Sequence, residues 1–389
     1  MRILQAANFP YFRTGGGFVT TRTLLRQLAK AGHACIYVGT TRSWTVSGAE
    51  ADTEAESLQQ LRDNGVTVDL TRYPIMFRDQ GVEVHLLRTE EDMARHLEAT
   101  AKTFLPDWGV LGLHGFPSTV NVMTSALPLR QIIICCLATI GAPFGPDRID
   151  DGSMLAKVLP TVGGTFAPSH YVRRYFEEWG GVSPRVLYLP LYGPGPFRKC
   201  NDPDGYVLMI NPSPIKGVSV FTGLAEAMPD VRFAAVRSWD TRPEVVARLS
   251  ALPNVTLLEG RPHERMDEIY SRARILLAPS IVHEAFGLVV VEAMLRGVPV
   301  LGASHAGIPE SKLGVPYLLP LTPLEPYAGP GKPREIPPQD LAPWQATIER
   351  LVADPVHYAE LSVQSYERAN EFVAELPETM FADYLASLA

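Results

Sequence analysis

The fold is indicated by the segment Ser280-Ile-Val-His-Glu-Ala-Phe-Gly-Leu-Val-Val-Val-Glu-Ala-Met-Leu-Arg-Gly-Val-Pro-Val300. We expect a loop at its start, and the almost unbroken apolar run after Gly287 predicts a buried helix. The backbone N–H groups of Gly287, Leu288 and Val289 would have no partners within that helix. Because the helix dipole adds partial positive charge at the same end, the segment predicts an anion-binding site.

Two carboxylates flank this predicted anion site. Glu284 lies just before it, and Glu292 falls in the second turn of the helix. Carboxylate oxygens accept hydrogen bonds from vicinal hydroxyls, so a ribose could bind on one side of a phosphate and a hexose on the other. The helix is too apolar to be a solvated surface element, and a buried carboxylate needs partners. The segment therefore indicates a sugar nucleotide as the ligand.

The composition is that of a globular protein, with 46% apolar and 20% charged residues in a chain of 389. This length predicts two domains of about two hundred residues each. The net charge of −7 argues against nucleic acid as a partner. Four cysteines without Cys-x-x-Cys spacing indicate reduced thiols. We expect no integral membrane segment and a cytoplasmic location, because the sequence has no apolar signal region and no apolar run of membrane-spanning length.

Short β-type runs alternate with helical patterns along most of the chain. This alternation predicts parallel sheets with helices on both faces, arranged as two doubly wound, Rossmann-like α/β domains. Helices are expected between several of the strands, for example over 20–31, with Gly32 as a C-terminal stop. The predicted strands are 2–7, 34–39, 66–70, 82–87, 109–113, 131–136, 165–167 and 185–189, followed by 206–210, 231–236, 255–259, 275–278, 298–302 and 317–319.

The domain boundaries follow from composition. Residues 196–205 belong to a stretch rich in proline and glycine and are interpreted as the hinge between domain 1–195 and domain 206–373. A C-terminal helix over about 374–389 is expected to pack back onto the first domain. Ligands of such sheets bind at the carboxyl ends of the strands, so we expect the site in the cleft between the domains.

At this point the chain resembles a known family. The pattern Glu284-x7-Glu292 with its neighbours resembles the retaining glycosyltransferases of GT-B fold, family 4, also called glycosyl transferases of group 1. The resemblance covers nearly the whole chain and is much more specific in the second half. Ser169, although part of one matching segment, is better explained as a helix cap. The further matching segments are Gly15-Gly16-Gly17, Phe166-Ala-Pro-Ser169, Asn211-Pro-Ser-Pro-Ile-Lys216-Gly217 and Gly307-Ile-Pro-Glu310.

The resemblance implies roles for individual residues. Glu292 would bind the ribose hydroxyls, Glu284 the hydroxyls of the donor sugar, and Lys216 the diphosphate. His114 would lie beside the donor sugar, and with Lys216 and Glu284 it forms the predicted catalytic set. The base would lie against the turn at 259–262. The implied donor-binding residues are Gly16, Gly17, Asn211, Lys216, Arg261, Glu284, Phe286, Gly287, Leu288, Val289 and Glu292.

One departure from the family pattern concerns the phosphate charge. Asn211 stands where the family usually has an arginine, so one phosphate charge is unmatched unless Arg237, Arg261 or a residue of the first domain provides it. The co-substrate is expected to be a nucleoside-diphosphate sugar, UDP-sugar in the first place, with no metal and no other cofactor. Oligomeric state leaves no signal in the sequence.

The sequence indicates the chemical class of the acceptor but not its identity. Lipid-acting relatives tend to carry a basic amphipathic surface in the first domain, whereas residues 49–56 are acidic here. We therefore expect a small soluble acceptor such as an aminocyclitol, a polyol or a natural-product aglycone. Phe12, Thr139 and Phe144 are the predicted acceptor-binding residues.

Three functions remain open from the sequence. The first is a retaining hexosyltransferase, an enzyme of EC 2.4 type, that acts by front-face displacement. The second is a nucleotide-sugar epimerase on the same fold, which would convert the donor without an acceptor. The third is a non-catalytic sugar-nucleotide binding protein, which turnover with any acceptor would exclude.

Overall fold

A computed structural model of the chain describes residues 1–13, 15–44, 50–112, 117–140, 142–148, 153–189, 191–192, 195–238, 241–261, 265–329 and 334–388. The chain forms two compact units. Unit 1 comprises Met1–Leu191 together with Pro377–Ala389, and unit 2 comprises Tyr192–Leu376. Within the described ranges, no helix combines the length and the apolar content that crossing a membrane requires.

Strands and helices alternate in both units, as the sequence predicts. The strands are β1 Arg2–Ala6, β2 Ala34–Thr40, β3 Ser43–Trp44, β4 Glu50–Asp52, β5 Ile75–Asp79, β6 Val82–Leu87, β7 Trp108–Gly112, β8 Ile132–Cys135, β9 Gly164–Ala167, β10 Arg185–Val186, β11 Tyr206–Ile210, β12 Phe233–Val236, β13 Val255–Leu258, β14 Ala273–Ala278, β15 Val300–Ala303 and β16 Leu318–Leu319. The helices are α1 Gly16–Lys30, α2 Glu54–Asp63, α3 Glu90–Phe104, α4 Pro117–Ala126, α5 Ser153–Val158, α6 His170–Gly180, α7 Val218–Ala227, α8 Pro243–Ser250, α9 Asp267–Tyr270, α10 Leu288–Met294, α11 Ile308–Ser311, α12 Ala342–Ala353, α13 Pro355–Ala374 and α14 Met380–Ser387.

The sheet of unit 1 has the strand order β10-β9-β8-β7-β1-β2-β6-β5. All neighbours are parallel except β5, which pairs antiparallel with β6. The predicted strand at 66–70 is wrong, because those residues form turns and irregular backbone. The edge position is taken instead by β5, which reaches β6 through a two-residue turn with φ of 46° at Gln80 and 88° at Gly81. A tight hairpin of this kind needs positive φ at both positions.

Helix α1 corrects a second prediction. It begins at Gly16, four residues before the predicted start at Thr20, so Gly16 and Gly17 belong to its first turn and not to a loop. The preceding Gly15 adopts φ 119°, a conformation that favours glycine, and the Thr20 hydroxyl donates to the Gly16 carbonyl oxygen at 2.7 Å. The low helix propensity of glycine is the reason that the sequence pattern places the start too late.

The sheet of unit 2 is parallel throughout its described strands, in the order β13-β12-β11-β14-β15-β16. Every strand predicted for this half is found within two residues of its predicted bounds. Helix α12 packs against α13, and its residues Trp344, Ile348 and Leu351 are fully buried in unit 2. Burying one such side chain contributes about 1.5–3 kcal/mol. The predicted doubly wound α/β class is therefore confirmed.

The segment predicted as the hinge lies within unit 2. Cys200 N donates to Arg296 O at 3.1 Å, Asp202 N donates to Ala273 O at 3.1 Å, and the Tyr366 hydroxyl donates to Phe197 O at 2.9 Å. These bonds tie residues 197–202 to the helices and strands of unit 2. The chain passes from one unit to the other between residues 191 and 192, and again between 376 and 377.

The C-terminal helix α14 packs onto unit 1. The ring of Phe381 lies 5.1 Å from that of Phe166, measured between centroids, and the Tyr384 hydroxyl donates to Thr165 O at 3.0 Å. Close by along the chain, Ser169 caps helix α6, its hydroxyl oxygen accepting from Val172 N at 3.1 Å, which confirms the predicted cap.

Candidate active site

Three loops meet at the carboxyl edge of the unit 2 sheet. They follow the neighbouring strands β11, β14 and β15. The first two loops are joined where Ile281 N and Val282 N both donate to Ile215 O at 3.0 Å. Gly217 makes this approach possible, because a Cβ there would lie 2.0 Å from Pro279 O and its φ is 85°. The contact brings Lys216 to the loop that carries Glu284.

Lys216 and Glu284 form an ion pair. The ammonium group of Lys216 donates to Glu284 Oε1, and the Ser280 hydroxyl donates to the same oxygen at 2.7 Å. The Lys216 side chain is 24% exposed and the Glu284 side chain 19%. Both residues are predicted site residues, and the structure brings them into contact. The lysine predicted to bind the phosphates is thus paired with the carboxylate predicted to bind the sugar.

The charge of Glu284 follows from this pairing. Burial raises the pKa of its carboxyl group, but the charge of Lys216 and the hydrogen bonds from Lys216 and Ser280 outweigh burial, and the pKa is lowered. Glu284 is therefore a carboxylate near neutral pH. Its oxygens accept hydrogen bonds and do not donate them.

Glu292 lies in the second turn of α10 and is 8% exposed. The Tyr270 hydroxyl donates to Glu292 Oε2 at 2.9 Å, which fixes the orientation of the carboxylate. The buried phenol of Tyr192 is close enough that burial and the charge of Glu292 raise its pKa well above the ordinary range. Sequence reasoning missed both tyrosines, because they are 22 and 100 positions away and no local motif marks them.

Helix α10 begins at Leu288, directly after Gly287, as the sequence predicts. Gly287 has φ 90°, and a Cβ there would lie 2.6 Å from Ile308 Cδ1. No side chain caps the helix among the described residues. The ring of Phe286 is buried and stacks on Phe372, with 5.9 Å between the ring centroids. Because this ring is packed against Phe372, the predicted donor-binding role of Phe286 falls to its backbone groups.

A pair of histidines completes the edge. His305, in the loop after β15, lies edge-on to His283 at 5.5 Å between ring centroids. Gly307 N, in the same loop, donates to Glu284 O at 2.9 Å and so fastens this loop to the Glu284 segment. The sequence gives no spacing that marks His305, and sequence analysis missed it.

The two arginines of unit 2 that were candidates for binding the second phosphate charge, Arg237 and Arg261, have other partners. Arg237 pairs with Glu259 at 2.8 Å, and Arg261 pairs with Glu268 at 3.3 Å, both as partly exposed ion pairs. Asn211 is buried with φ 58°, and within the described residues its Oδ1 has no hydrogen-bond partner. An unpaired buried amide oxygen at this edge is costly unless a ligand or water reaches it.

The remaining predicted residues belong to unit 1. His114 lies outside the described residues. Phe12 is buried and stacks on Phe77, with 6.0 Å between ring centroids, and Thr139 is fully buried. The Phe144 ring packs against Phe176 of α6 at 5.1 Å. All three side chains pack within unit 1, and their acceptor role stays a prediction.

Part of unit 2 is similar to proteins of known family. Residues 242–311, which include Glu284 and Glu292, match the family model of the glycosyl transferases group 1. A D-inositol 3-phosphate glycosyltransferase of Nocardia farcinica is 39% identical over 69 residues, which is 18% of this chain and 15% of that protein. Over these residues the chain is similar to the glycosyl transferases of group 1. Because it spans less than a sixth of that relative's length here, the match does not extend to a shared substrate.

Solved structures of similar fold span nearly the whole chain. A sucrose-phosphate synthase from Thermosynechococcus elongatus has a TM-score of 0.69 at 15% identity, covering 99% of both chains. Anabaena HepE, solved in complex with UDP-glucose, has a TM-score of 0.64 at 16% identity, covering 100% of this chain and 98% of that one. Likeness at such low identity shows the fold, and it confirms the predicted GT-B class.

Proposed function

We propose that this protein is a glycosyltransferase of the group 1 type, which transfers a hexosyl group from a nucleoside-diphosphate sugar, UDP-sugar in the first place, to a hydroxyl of a small acceptor. The observation that carries the proposal is the contact of Lys216 with Glu284. Glu284 lies just before helix α10, which bears the buried Glu292. The family match includes both glutamates, and a protein of similar fold was solved with UDP-glucose bound.

Each end of the donor would have its own carboxylate. Glu292, oriented by Tyr270, would accept hydrogen bonds from the ribose hydroxyls. Glu284, a carboxylate near neutral pH, would accept from hydroxyls of the hexose. Lys216 would bind the diphosphate as a compact positive charge, and the backbone N–H groups of Leu288 and Val289 would add hydrogen bonds.

Binding of the diphosphate would change the partner of Lys216. The ammonium group of Lys216 is paired with Glu284, and an arriving diphosphate carries more negative charge than one carboxylate. As Lys216 turns to the phosphate, Glu284 is released to accept from the sugar. The ion pair therefore keeps both groups satisfied and oriented until the donor binds.

The reaction step that we propose is a displacement on one face of the sugar, through an oxocarbenium-like transition state. The leaving diphosphate gains negative charge, and Lys216 is placed to stabilise that charge. The departing phosphate oxygen takes the proton of the acceptor hydroxyl. This chemistry retains the anomeric configuration and asks for no covalent enzyme intermediate or metal. Roles for His114, Gly16 and Gly17, and the small soluble acceptor, are part of the proposal.

The test combines ligand binding with product analysis. Thermal shift and calorimetry with UDP, GDP, ADP and dTDP identify the base, since a ligand that binds only the folded state raises its stability. Turnover with a panel of polyols and aminocyclitols, followed by determination of the anomeric configuration, tests the transfer. Lys216→Ala should lower turnover strongly, whereas the exposed control Arg248→Ala should not.

Three results would count against the proposal. Absence of binding by all four nucleotides would refute the donor, and an inverted anomeric centre would refute the mechanism. Conversion of the donor sugar without an acceptor would indicate the epimerase.

A further inference from the structure

The proposed transfer leaves His305 without a role, although it lies at the same edge of the sheet. Within the described part of the chain, neither of its ring nitrogens has a hydrogen-bond partner, and both are shielded from solvent. Backbone groups of Ser280 and Val282 lie near the ring without meeting the geometry of a hydrogen bond. Buried polar atoms are nearly always paired, so unpaired ones mark places where a ligand or water completes the site.

Titratable groups surround His305 on the neighbouring loops and on helix α11. Burial and His283 lower the pKa of His305, and the carboxylate of Glu284 acts in the opposite direction but does not offset them. Lys216 faces the same carboxylate and is paired with it. Helix α11, which follows the loop, carries Glu310 in its first turn. With its pKa lowered in these surroundings, His305 is a neutral imidazole near neutral pH.

A diphosphate would reverse this balance. Histidine is the side chain whose charge changes most readily near neutral pH, and an anion in contact favours its protonated form. The diphosphate of a sugar nucleotide carries two negative charges, whereas Lys216 contributes one positive charge at this edge, and Arg237 and Arg261 are paired with other carboxylates. An imidazolium at 305 would provide the missing positive charge from within unit 2.

We propose that His305 is a further donor-binding residue, which takes up a proton from solvent when the diphosphate arrives and then donates a hydrogen bond to a phosphate oxygen. This inference rests on the proposed function, because it needs the diphosphate to bind beside Lys216. No covalent bond changes. The donor then binds more tightly as the pH falls towards slightly acidic values.

The experiment measures proton uptake on binding. UDP-glucose is the probe, because both of its phosphates are diesters and do not titrate near neutral pH, unlike the terminal phosphate of UDP. Calorimetry at pH 7 in two buffers of different ionisation enthalpy should show uptake of about half a proton or more per ligand. His305→Asn should abolish the uptake and weaken binding about ten-fold. His283→Asn, the matched change in the neighbouring ring, should keep the uptake.

The outcomes separate the inference from the proposed function. Binding without uptake, or equal uptake in His305→Asn, overturns the inference and leaves the donor assignment standing. Failure of UDP-, GDP- and ADP-glucose all to bind overturns the proposed function and the inference with it. Ligand-free melting curves establish that each variant is folded, and His305→Gln replaces the asparagine variant if that one is not.

Discussion

Lys312 is predicted to destabilise the folded protein, so that Lys312→Met should increase its stability. The side chain is 1% exposed, and its ammonium nitrogen has a hydrogen bond to Val300 O at 2.6 Å. Burial lowers the pKa of Lys312 from 10.5 to about 7. This difference corresponds to a cost of about 5 kcal/mol at low pH, at about 1.4 kcal/mol per pH unit. Methionine has a similar length and no charge to desolvate.

The pH dependence gives the prediction its sign. Between pH 7 and 10.5 the unfolded chain binds more protons at residue 312 than the folded chain, so stability rises with pH in this window. The destabilisation by lysine is about 4 kcal/mol at pH 7 and about 2 kcal/mol at pH 9. The substitution also removes the hydrogen bond to Val300 O, which lowers the gain in the free energy of unfolding by about 1 kcal/mol. Lys312→Met should therefore be more stable by about 3 kcal/mol at pH 7, with the gain falling to about 1 kcal/mol at pH 9.

The assay is urea unfolding at both pH values, with the slope of the transition checked for each variant. The matched control is Lys199→Met, at an exposed position of unit 2, which should change stability by less than about 0.5 kcal/mol. Equal or lower stability of Lys312→Met at pH 7 would refute the reasoning. So would a gain that is the same at both pH values, because the cost of the buried charge would then not be its cause.

Other predictions concern the three loops. Glu284→Gln removes the charged partner of Lys216, so calorimetry should show UDP binding about three- to ten-fold more tightly. UDP-glucose should no longer bind more tightly than UDP, because the carboxylate that accepts from the hexose is lost. Weaker UDP binding would contradict the exchange of partners. Glu292→Gln should weaken every nucleotide by about 1–3 kcal/mol, with the exposed Glu226→Gln as control, and unchanged affinity would remove the ribose role. Gly217→Ala should lower the free energy of unfolding in urea by about 2 kcal/mol or more, because its Cβ would meet Pro279 O at 2.0 Å, and a neutral effect would show that the loops separate easily.

The unit 2 sheet and the start of helix α10 were within reach of sequence reasoning. Their strands are apolar runs ended by polar or small residues, and Gly287 marks the helix start because a loop glycine precedes an apolar run. Strand β5 escaped prediction because its turn, Gln80-Gly81, lacks the Asn-Gly or Asp-Gly signal that a tight hairpin usually carries.

Contacts between distant residues could not be predicted in the same way. Lys216 and Glu284 were each assigned from a pattern, but their ion pair joins residues 68 positions apart and depends on Gly217 fitting under Pro279. His305 and Lys312 have no pattern at all in the sequence. Their environments arise from packing, which turns an ordinary polar side chain into an unpaired or desolvated one.

The central claim is that unit 2 binds a nucleoside diphosphate through Lys216 and Glu292. The most direct measurement is a crystal structure with UDP bound. It should show a phosphate oxygen about 3 Å from the ammonium nitrogen of Lys216, and the ribose hydroxyls at similar distance from the Glu292 carboxylate. UDP bound at any other place, or bound there with Lys216 still paired to Glu284, would contradict the account.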